Sequence, residues 1–382
     1  MIVILALALL SQSYADTPPD FSIDQAACAK KNGDPATGGI LTQNTELTRK
    51  FTANEVPPVR NQDSIGWCYA YTASDLLDNY RKTQSKNTEP YSNDNLIAPN
   101  GIANAYNYHF APSKSGNVRQ AEYNPDVYTY ESGTASDAIQ SVLKNGGKYC
   151  TEKDLPSTDQ LNTTYNEDLS SVKTPGGTFK RSSEFKELYQ DIGAYDGRDQ
   201  TNRCAATKAM TEIFPDAKVS DIQAILDKKN GKDALEYFSK LGCGSAAKVY
   251  PYTPKVVQDS LSMDLRANGN GKMTDQNKKK QVVMLSNVDG ALASGKIVEV
   301  TYSADSIFKY VNQNNYGDDH SSIVVGKMYG VDCKPSYLIK NSWGTQCQNV
   351  PIKDPDVKCM DGYFLIPADE MQKSISGSTW LE

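Results

Sequence analysis

Three residues of this sequence have the side chains that nucleophilic catalysis requires: Cys68, His320 and Asn341. Apolar residues at helical spacing occupy 73–80, and a turn-like stretch precedes Cys68, so we predict that Cys68 lies at a helix N-terminus. Unpaired N–H groups and the helix dipole stabilise an anion there, which lowers the pKa of a thiol and favours the nucleophilic thiolate. A buried structural cysteine at the start of a core helix is the alternative for this stretch alone.

The base and its orienting group come from two downstream segments that resemble strands. His320 begins an apolar stretch typical of a buried strand, and Asn341 directly follows a second one, residues 337–340. A nucleophilic cysteine needs a base, and the base needs a group that holds its ring and its tautomer. The other histidine, His109, has aromatic neighbours and neither a cysteine nor an acid beside it, so we predict a structural role for it.

Four segments of the chain resemble the papain-like cysteine proteases. They are NQDSIGWCYAY (61–71), DHSSIVVG (319–326), LIKNSWG (338–344) and DGYFLI (361–366). The resemblance implies that Cys68 is the nucleophile, that His320 is the base and acid, and that Asn341 orients the imidazole. Because the segments occur in the family's order, the resemblance covers the whole reactive group and not a single cysteine motif.

The same resemblance implies three further site residues. Gln62 matches the glutamine whose side chain forms the oxyanion hole together with the backbone N–H of Cys68. Trp343 matches the tryptophan that shields the family's Asn–His hydrogen bond from water. Gly133 matches a glycine whose backbone pairs with bound peptide, and the missing side chain permits that close approach.

The fold class that the resemblance implies is α+β. We expect a papain-like two-domain fold over residues 44–382, with a helical left domain that holds the central helix and a β-barrel-like right domain. A mainly helical insertion is predicted at about 157–245, either as a modifier of the substrate cleft or partner surface or as structural decoration. Further along, we predict a helix at 289–294 and a strand at 297–302, and we interpret the basic run at 278–280 as a solvated loop.

The N-terminus indicates export. Residues 1–15 have the apolar core and small-residue cleavage site of a signal peptide, and this run is far shorter than the ~20 residues of a spanning helix. Residues 16–43 are polar and are predicted to be a short pro-segment or N-terminal arm. The net charge of −6 argues against nucleic-acid binding. We therefore expect a monomer without a membrane span, secreted or in a periplasmic or lysosomal-type compartment.

The eight cysteines of an exported chain favour disulfides over metal ligands. We predict a local bridge between Cys347 and Cys359, and Cys204 and Cys243 are candidates for another.

Cys28, in the N-terminal arm, allows two hypotheses. A bridge to Cys68 would make a redox-latched zymogen, whereas a bridge to another cysteine would pin the arm to the domain. We favour the second hypothesis, because spacing determines disulfide connectivity only weakly.

The functional expectation is an exported cysteine endopeptidase that acts on protein or peptide substrates through a thiolate–imidazolium pair and an acyl-enzyme, without metal or cofactor. Two alternatives stay open: an exopeptidase whose cleft is restricted by the insertion, and a catalytically silent protein that binds a partner. A transglutaminase-type enzyme would normally use an aspartate as the orienting group, and the NSWG context of Asn341 argues against it.

Overall fold

The computed structural model describes part of the chain, namely residues 23, 25–31, 55–62, 66–86, 88–110, 133–144, 146–155, 157, 207, 211, 218–227, 247–261, 274–308, 319–347, 350 and 352–382. The predicted signal peptide, Cys204, Cys243 and most of the two regions 16–43 and 157–245 lie outside these residues. The predicted domain boundaries therefore remain predictions.

The N-terminal part of the described chain is mainly helical, and the C-terminal part is rich in strands. The helices are α1 (Gln25–Lys31), α2 (Cys68–Ser85), α3 (Pro99–Phe110), α4 (Ala135–Lys144), α5 (Val219–Leu226), α6 (Asp275–Ala293), α7 (Ala304–Ile307) and α8 (Ala368–Ser374). The strands are β1 (Lys148–Tyr149), β2 (Lys248–Val249), β3 (Val256–Ser260), β4 (Val298–Ser303), β5 (Asp319–Tyr329), β6 (Pro335–Lys340), β7 (Lys358–Met360), β8 (Tyr363–Pro367) and β9 (Ile375–Leu381). The helix predicted to begin at Cys68 is confirmed as α2.

Helix α2 is the central helix, because it contacts the helices α3 and α4 as well as strands β4, β5 and β9. Residues 69–79 are all buried, including Asp75 and Asp78, which the sequence pattern had suggested lie off the apolar face. A buried carboxylate requires a partner. Asp75 is paired with Arg60 and Asp78 with Arg81, so the helix can be buried on all sides despite its charges.

The described strands form a two-stranded ladder and one larger antiparallel sheet. β1 pairs with β2, and the larger sheet has the order β3–β9–β4–β5–β6–β8–β7. Helices gathered before and around an antiparallel sheet define the α+β class, so that prediction is confirmed. Closure of the sheet into a barrel stays a prediction.

One face of this sheet is polar and lies against α2. Because side chains alternate along a strand, the pairings Glu299–Ile323, Ile323–Lys340 and Thr301–Ser321 put Glu299, Ser321 and Lys340 on the same face. Both Ser321 and Lys340 contact side chains of α2. The helix that begins at Cys68 is thus bound to the strands of His320 and Asn341 by polar contacts.

The long helix α6 corrects a sequence prediction. The expected helix at 289–294 is only the end of Asp275–Ala293, and the basic run at 278–280 is helical. Thr274 Oγ1 caps the N-terminus by accepting a hydrogen bond from Asn277 N at 3.2 Å. The buried face of the first turns includes the polar residues Asn277 and Gln281, so hydrophobic periodicity does not reveal this part of the helix. The strand predicted at 297–302 is confirmed as β4 within one residue.

Two disulfides join described cysteines. Cys347 bonds Cys359, as predicted, and Cys28 bonds Cys333 in the turn between β5 and β6. Cys68 is a free thiol, so the hypothesis of a latch between Cys28 and Cys68 is wrong. The alternative, in which Cys28 pins its segment to the rest of the protein, is the one observed.

Within the described ranges, no helix has both the length and the apolar character needed to cross a membrane.

Candidate active site

Cys68 occupies the first position of α2, with Trp67 as the N-cap residue. The backbone N–H groups of Tyr69 and Ser321 both bond its sulfur and lower the pKa of the thiol. Desolvation is the larger effect, and it raises the pKa of Cys68 to about 11. The residue as a whole is partly exposed.

His320 and Asn341 are in direct contact. The distance between His320 Nε2 and Asn341 Oδ1 is 2.6 Å, and Ser322 Oγ also donates to Asn341 Oδ1 at 3.2 Å. Because a carbonyl oxygen can only accept, the contact requires that Nε2 carries the proton. Nδ1 is then the nitrogen of His320 that can accept a proton from a thiol.

Aromatic rings enclose the imidazole. Trp343 stacks on His320 with ring centroids 4.3 Å apart, and Tyr302 meets the ring edge-on at 5.8 Å. His320 is only 5% exposed, and this burial lowers its pKa to about 4, although the hydrogen bond to Asn341 raises it. Desolvation thus favours the neutral imidazole and the neutral thiol, and the thiolate–imidazolium pair stays a prediction.

The position of Asn341 depends on the turn between β7 and β8. Asn341 N donates to Gly362 O at 3.1 Å. Gly362 has φ 80°, and a Cβ at this position would lie 2.5 Å from the carbonyl oxygen of Gly344. Only glycine fits this turn without strain. The DGYF segment therefore supports the backbone on which Asn341 and Trp343 are carried.

Gln62 lies beside the segment that carries Asn341. Its backbone N donates to Ser342 O at 2.7 Å, and its side-chain Oε1 accepts from Ser342 Oγ at 2.6 Å. The neighbouring residues Asn61 and Trp343 form an antiparallel bridge. The Ser342 hydroxyl thus bonds the carbonyl end of the Gln62 amide, and the amide nitrogen is the end that it does not bond. The role of Gln62 in an oxyanion hole stays a prediction.

Gly133 lies against the rings of Tyr69 and Tyr106. A Cβ added at Gly133 would approach the Tyr106 ring to 3.0 Å and the Tyr69 ring to 3.1 Å. A side chain at position 133 would therefore crowd these two rings, which explains why the residue is a glycine. Its pairing with bound peptide stays a prediction.

The structure thus brings Cys68, His320, Asn341 and Trp343 into one cluster, with Gln62 at its border and Gly133 packed behind Tyr69. His109 lies in α3, and its side chain is outside the described residues.

Sequence reasoning missed several residues that support this cluster: Ser322, Ser342, Tyr302 and Glu299. Ser322 and Ser342 were visible as neighbours of His320 and Asn341 in the two motifs. Nothing in the sequence pattern marked Tyr302 or Glu299, because their proximity to the site arises from the register of β4 with β5.

No family model matches the chain, and no curated protein matches it either. The solved structures that match include the bromelain protease from Ananas comosus in complex with the E64 inhibitor. That likeness has 12% sequence identity and a TM-score of 0.35, and it covers 86% of this chain and 94% of the bromelain chain.

Proposed function

We propose that the protein is an exported, papain-like cysteine endopeptidase in which Cys68 is the nucleophile, His320 the base and acid, and Asn341 the orienting amide. The observation that carries the proposal is the 2.6 Å contact between His320 Nε2 and Asn341 Oδ1. The residue after His320, Ser321, bonds the Cys68 sulfur through its backbone N–H. The order of the four sequence segments supports the same assignment.

The first step is proton transfer from the Cys68 thiol to Nδ1 of His320 and attack of the sulfur on the peptide carbonyl carbon. A carbon–sulfur bond forms, and one electron pair of the carbonyl moves to its oxygen. Because desolvation favours the neutral thiol and the neutral imidazole in the free protein, we infer that this proton transfer accompanies substrate attack. Asn341 holds the ring throughout, and as a neutral amide it adds no charge.

The negative charge that develops on the substrate oxygen needs preorganised donors. The proposal assigns this function to the Gln62 side-chain amide and the backbone N–H of Cys68. Ser342 supports the assignment, since its hydroxyl holds the carbonyl end of the Gln62 amide at 2.6 Å.

The tetrahedral intermediate then collapses, and the carbon–nitrogen bond breaks. The imidazolium of His320 gives its Nδ1 proton to the leaving amine, which leaves a thioester on Cys68. His320 next takes a proton from water, whose oxygen attacks the thioester, and the thiolate that leaves recovers the proton. Trp343 stacks on the imidazole and limits the access of water to the bond with Asn341.

Export is part of the proposal. The disulfides Cys28–Cys333 and Cys347–Cys359 support it, because such bonds persist in oxidising compartments outside the cytosol. The apolar N-terminal stretch at 1–15 agrees with this compartment.

Labelling with an epoxysuccinyl inhibitor of cysteine proteases tests the proposal, with peptide mapping of the full chain. We expect stoichiometric labelling at Cys68 with and without mild reductant, because Cys68 is not in a disulfide. Cys68→Ala should abolish labelling and His320→Ala should nearly abolish it, whereas His109→Asn, the matched histidine control, should retain it.

A folded protein that is not labelled, or a His320→Ala variant labelled at the parent rate, would overturn the proposal and favour the partner-binding alternative. Digestion of an end-blocked peptide library then separates the two peptidase types. Cleavage inside end-blocked peptides would indicate an endopeptidase. Cleavage only of peptides with a free terminus would indicate an exopeptidase.

A further inference from the structure

One buried carboxyl group near the site has no part in the proposed reaction. Glu299 is 2% exposed and is the second residue of β4, on the sheet face that contacts α2. Thr301 Oγ1 and Ser321 Oγ donate to its Oε1 at 2.7 and 2.8 Å, and the Thr379 side chain bonds the carboxyl as well. A carboxylate only accepts hydrogen bonds, so donation by three hydroxyl groups favours the ionised form of Glu299.

These hydroxyl groups connect Glu299 to the first turn of α2. Because Ser321 gives its single hydroxyl proton to Glu299, it can only accept from Thr72 Oγ1, which lies 3.0 Å away. Thr72 is one turn after Cys68, and its hydroxyl lies 3.2 Å from the Cys68 carbonyl oxygen. Because the single Thr72 hydroxyl proton is then given to Ser321, the hydrogen bonds lead from Glu299 through Ser321 to Thr72, one turn after Cys68.

Few other charges act on this network. Lys340 and Asp75 face it from β6 and α2, but they are paired with each other. Strand β9 contributes the neutral Thr379, and β5 contributes Asp319 and, on its opposite face, His320. Of the other elements that contact β4, α6 carries Asp289, which is paired with Lys327, and the exposed Lys279 and Lys280, and α8 carries Asp369 and Glu370, which are paired with Lys373.

We propose that Glu299 is a positioning residue of the Cys68–His320 site, whose carboxylate holds Ser321 against Thr72 at the start of α2 and whose negative charge opposes thiolate formation at Cys68. The inference rests on the proposed function only in treating Cys68 as the nucleophile. It adds a residue that sets the pH range in which the thiol reacts.

The pKa shifts of Glu299 and Cys68 have the directions that this assignment requires. Burial raises the pKa of Glu299, while the three hydroxyl groups lower it. At Cys68, desolvation is the largest cause of the raised pKa, and the charges of Glu299 and Asp319 raise it further. Removal of the Glu299 charge should therefore lower the pKa of the Cys68 thiol.

The test is the pH profile of Cys68 alkylation by iodoacetamide in the full chain, because alkylation needs no peptidase activity. Glu299→Gln keeps the size of the side chain and removes the charge. We expect its profile to move to lower pH by about half a unit or more, which corresponds to about threefold faster alkylation at pH 7. Asp289→Asn, the matched carboxylate on the opposite side of the sheet, should leave the profile unchanged.

An unchanged profile in Glu299→Gln, or a shift to higher pH, would overturn the inference. A purely structural role would slow peptide hydrolysis without moving the profile. If Glu299→Gln does not fold, Ser321→Ala serves instead, since loss of a donor to Glu299 favours its neutral form and should move the profile in the same direction by a smaller amount. Failure of the proposed function is a different result, because it leaves the alkylation profile readable while epoxysuccinyl labelling is absent.

Discussion

Lys340 Nζ donates a hydrogen bond to Asp75 Oδ2, and both side chains are buried. Lys340 immediately precedes Asn341, and Asp75 lies about two turns after Cys68 on α2. Arg60 bonds the other oxygen of Asp75 at 2.5 Å. The strand end that carries the orienting amide is therefore joined to the helix that carries the nucleophile through one buried carboxylate.

Replacement of Lys340 by methionine should destabilise the protein by about 3–5 kcal/mol, because the buried carboxylates of Asp75 and Glu152 are then left with the single positive charge of Arg60. Urea unfolding of the full chain measures this loss. Lys334→Met is the matched control, since Lys334 pairs with Asp356 at the surface and its loss should cost far less stability. Equal effects of the two variants would contradict the prediction.

The His320 ring should titrate near pH 4 in the free protein, because burial lowers its pKa. The chain has only two histidines, so ring NMR signals are assigned by comparison with His109→Asn. Cys68→Ser should leave the titration near the same pH, since the neutral thiol adds no charge. A midpoint near or above 7 that falls on removal of the thiol would instead indicate a thiolate–imidazolium pair.

Asn341→Ala should reduce kcat/KM by about 10- to 100-fold on a peptide substrate, because His320 loses the acceptor that fixes its tautomer. Ser322→Ala should have a smaller effect in the same direction, since the Ser322 hydroxyl donates to Asn341 Oδ1 at 3.2 Å but has no bond to His320 itself in the described structure. Circular dichroism on both variants checks that they fold. A Ser322→Ala effect as large as that of Asn341→Ala would mean that the hydroxyl acts by another route.

The disulfide Cys28–Cys333 closes a loop with a sequence separation of 305, whereas Cys347–Cys359 closes one of 12. The free energy of unfolding should fall by roughly 2–5 kcal/mol in Cys28→Ser and by less in Cys347→Ser, because longer loops lose more closure entropy. Protease nicking between 31 and 55 should leave the α1 fragment attached on a non-reducing gel. Release of that fragment without reductant would contradict the observed pairing.

Burial raises the pKa of Asp78 to about 6, despite its pair with Arg81. Between the ordinary value of 3.8 and about 6, the folded state therefore binds this proton more tightly than the unfolded state, and this contribution to stability is lost as pH rises. Relative to the parent, Asp78→Asn should gain on the order of 2–3 kcal/mol between pH 4 and 7. Asp94→Asn, at an exposed carboxylate paired with Lys153, should show almost no such change.

The sequence by itself determined the local features of this protein. Helical periodicity after Cys68, the apolar stretches next to His320 and Asn341, and the 12-residue spacing of Cys347 and Cys359 each depend on neighbours along the chain. Local sequence patterns predict helices and strands directly, because side-chain direction repeats every 3.6 residues in a helix and every 2 residues in a strand.

Only the tertiary structure decided which distant residues meet. Strand register and the packing of α2 on the sheet determine that Cys28 meets Cys333, that Lys340 meets Asp75, and that Glu299 accepts a hydrogen bond from Ser321. A shift of register by one residue would turn Glu299 to the other face of the sheet and remove it from Cys68. These long-range contacts determine the charges around the site, and the sequence pattern alone does not predict them.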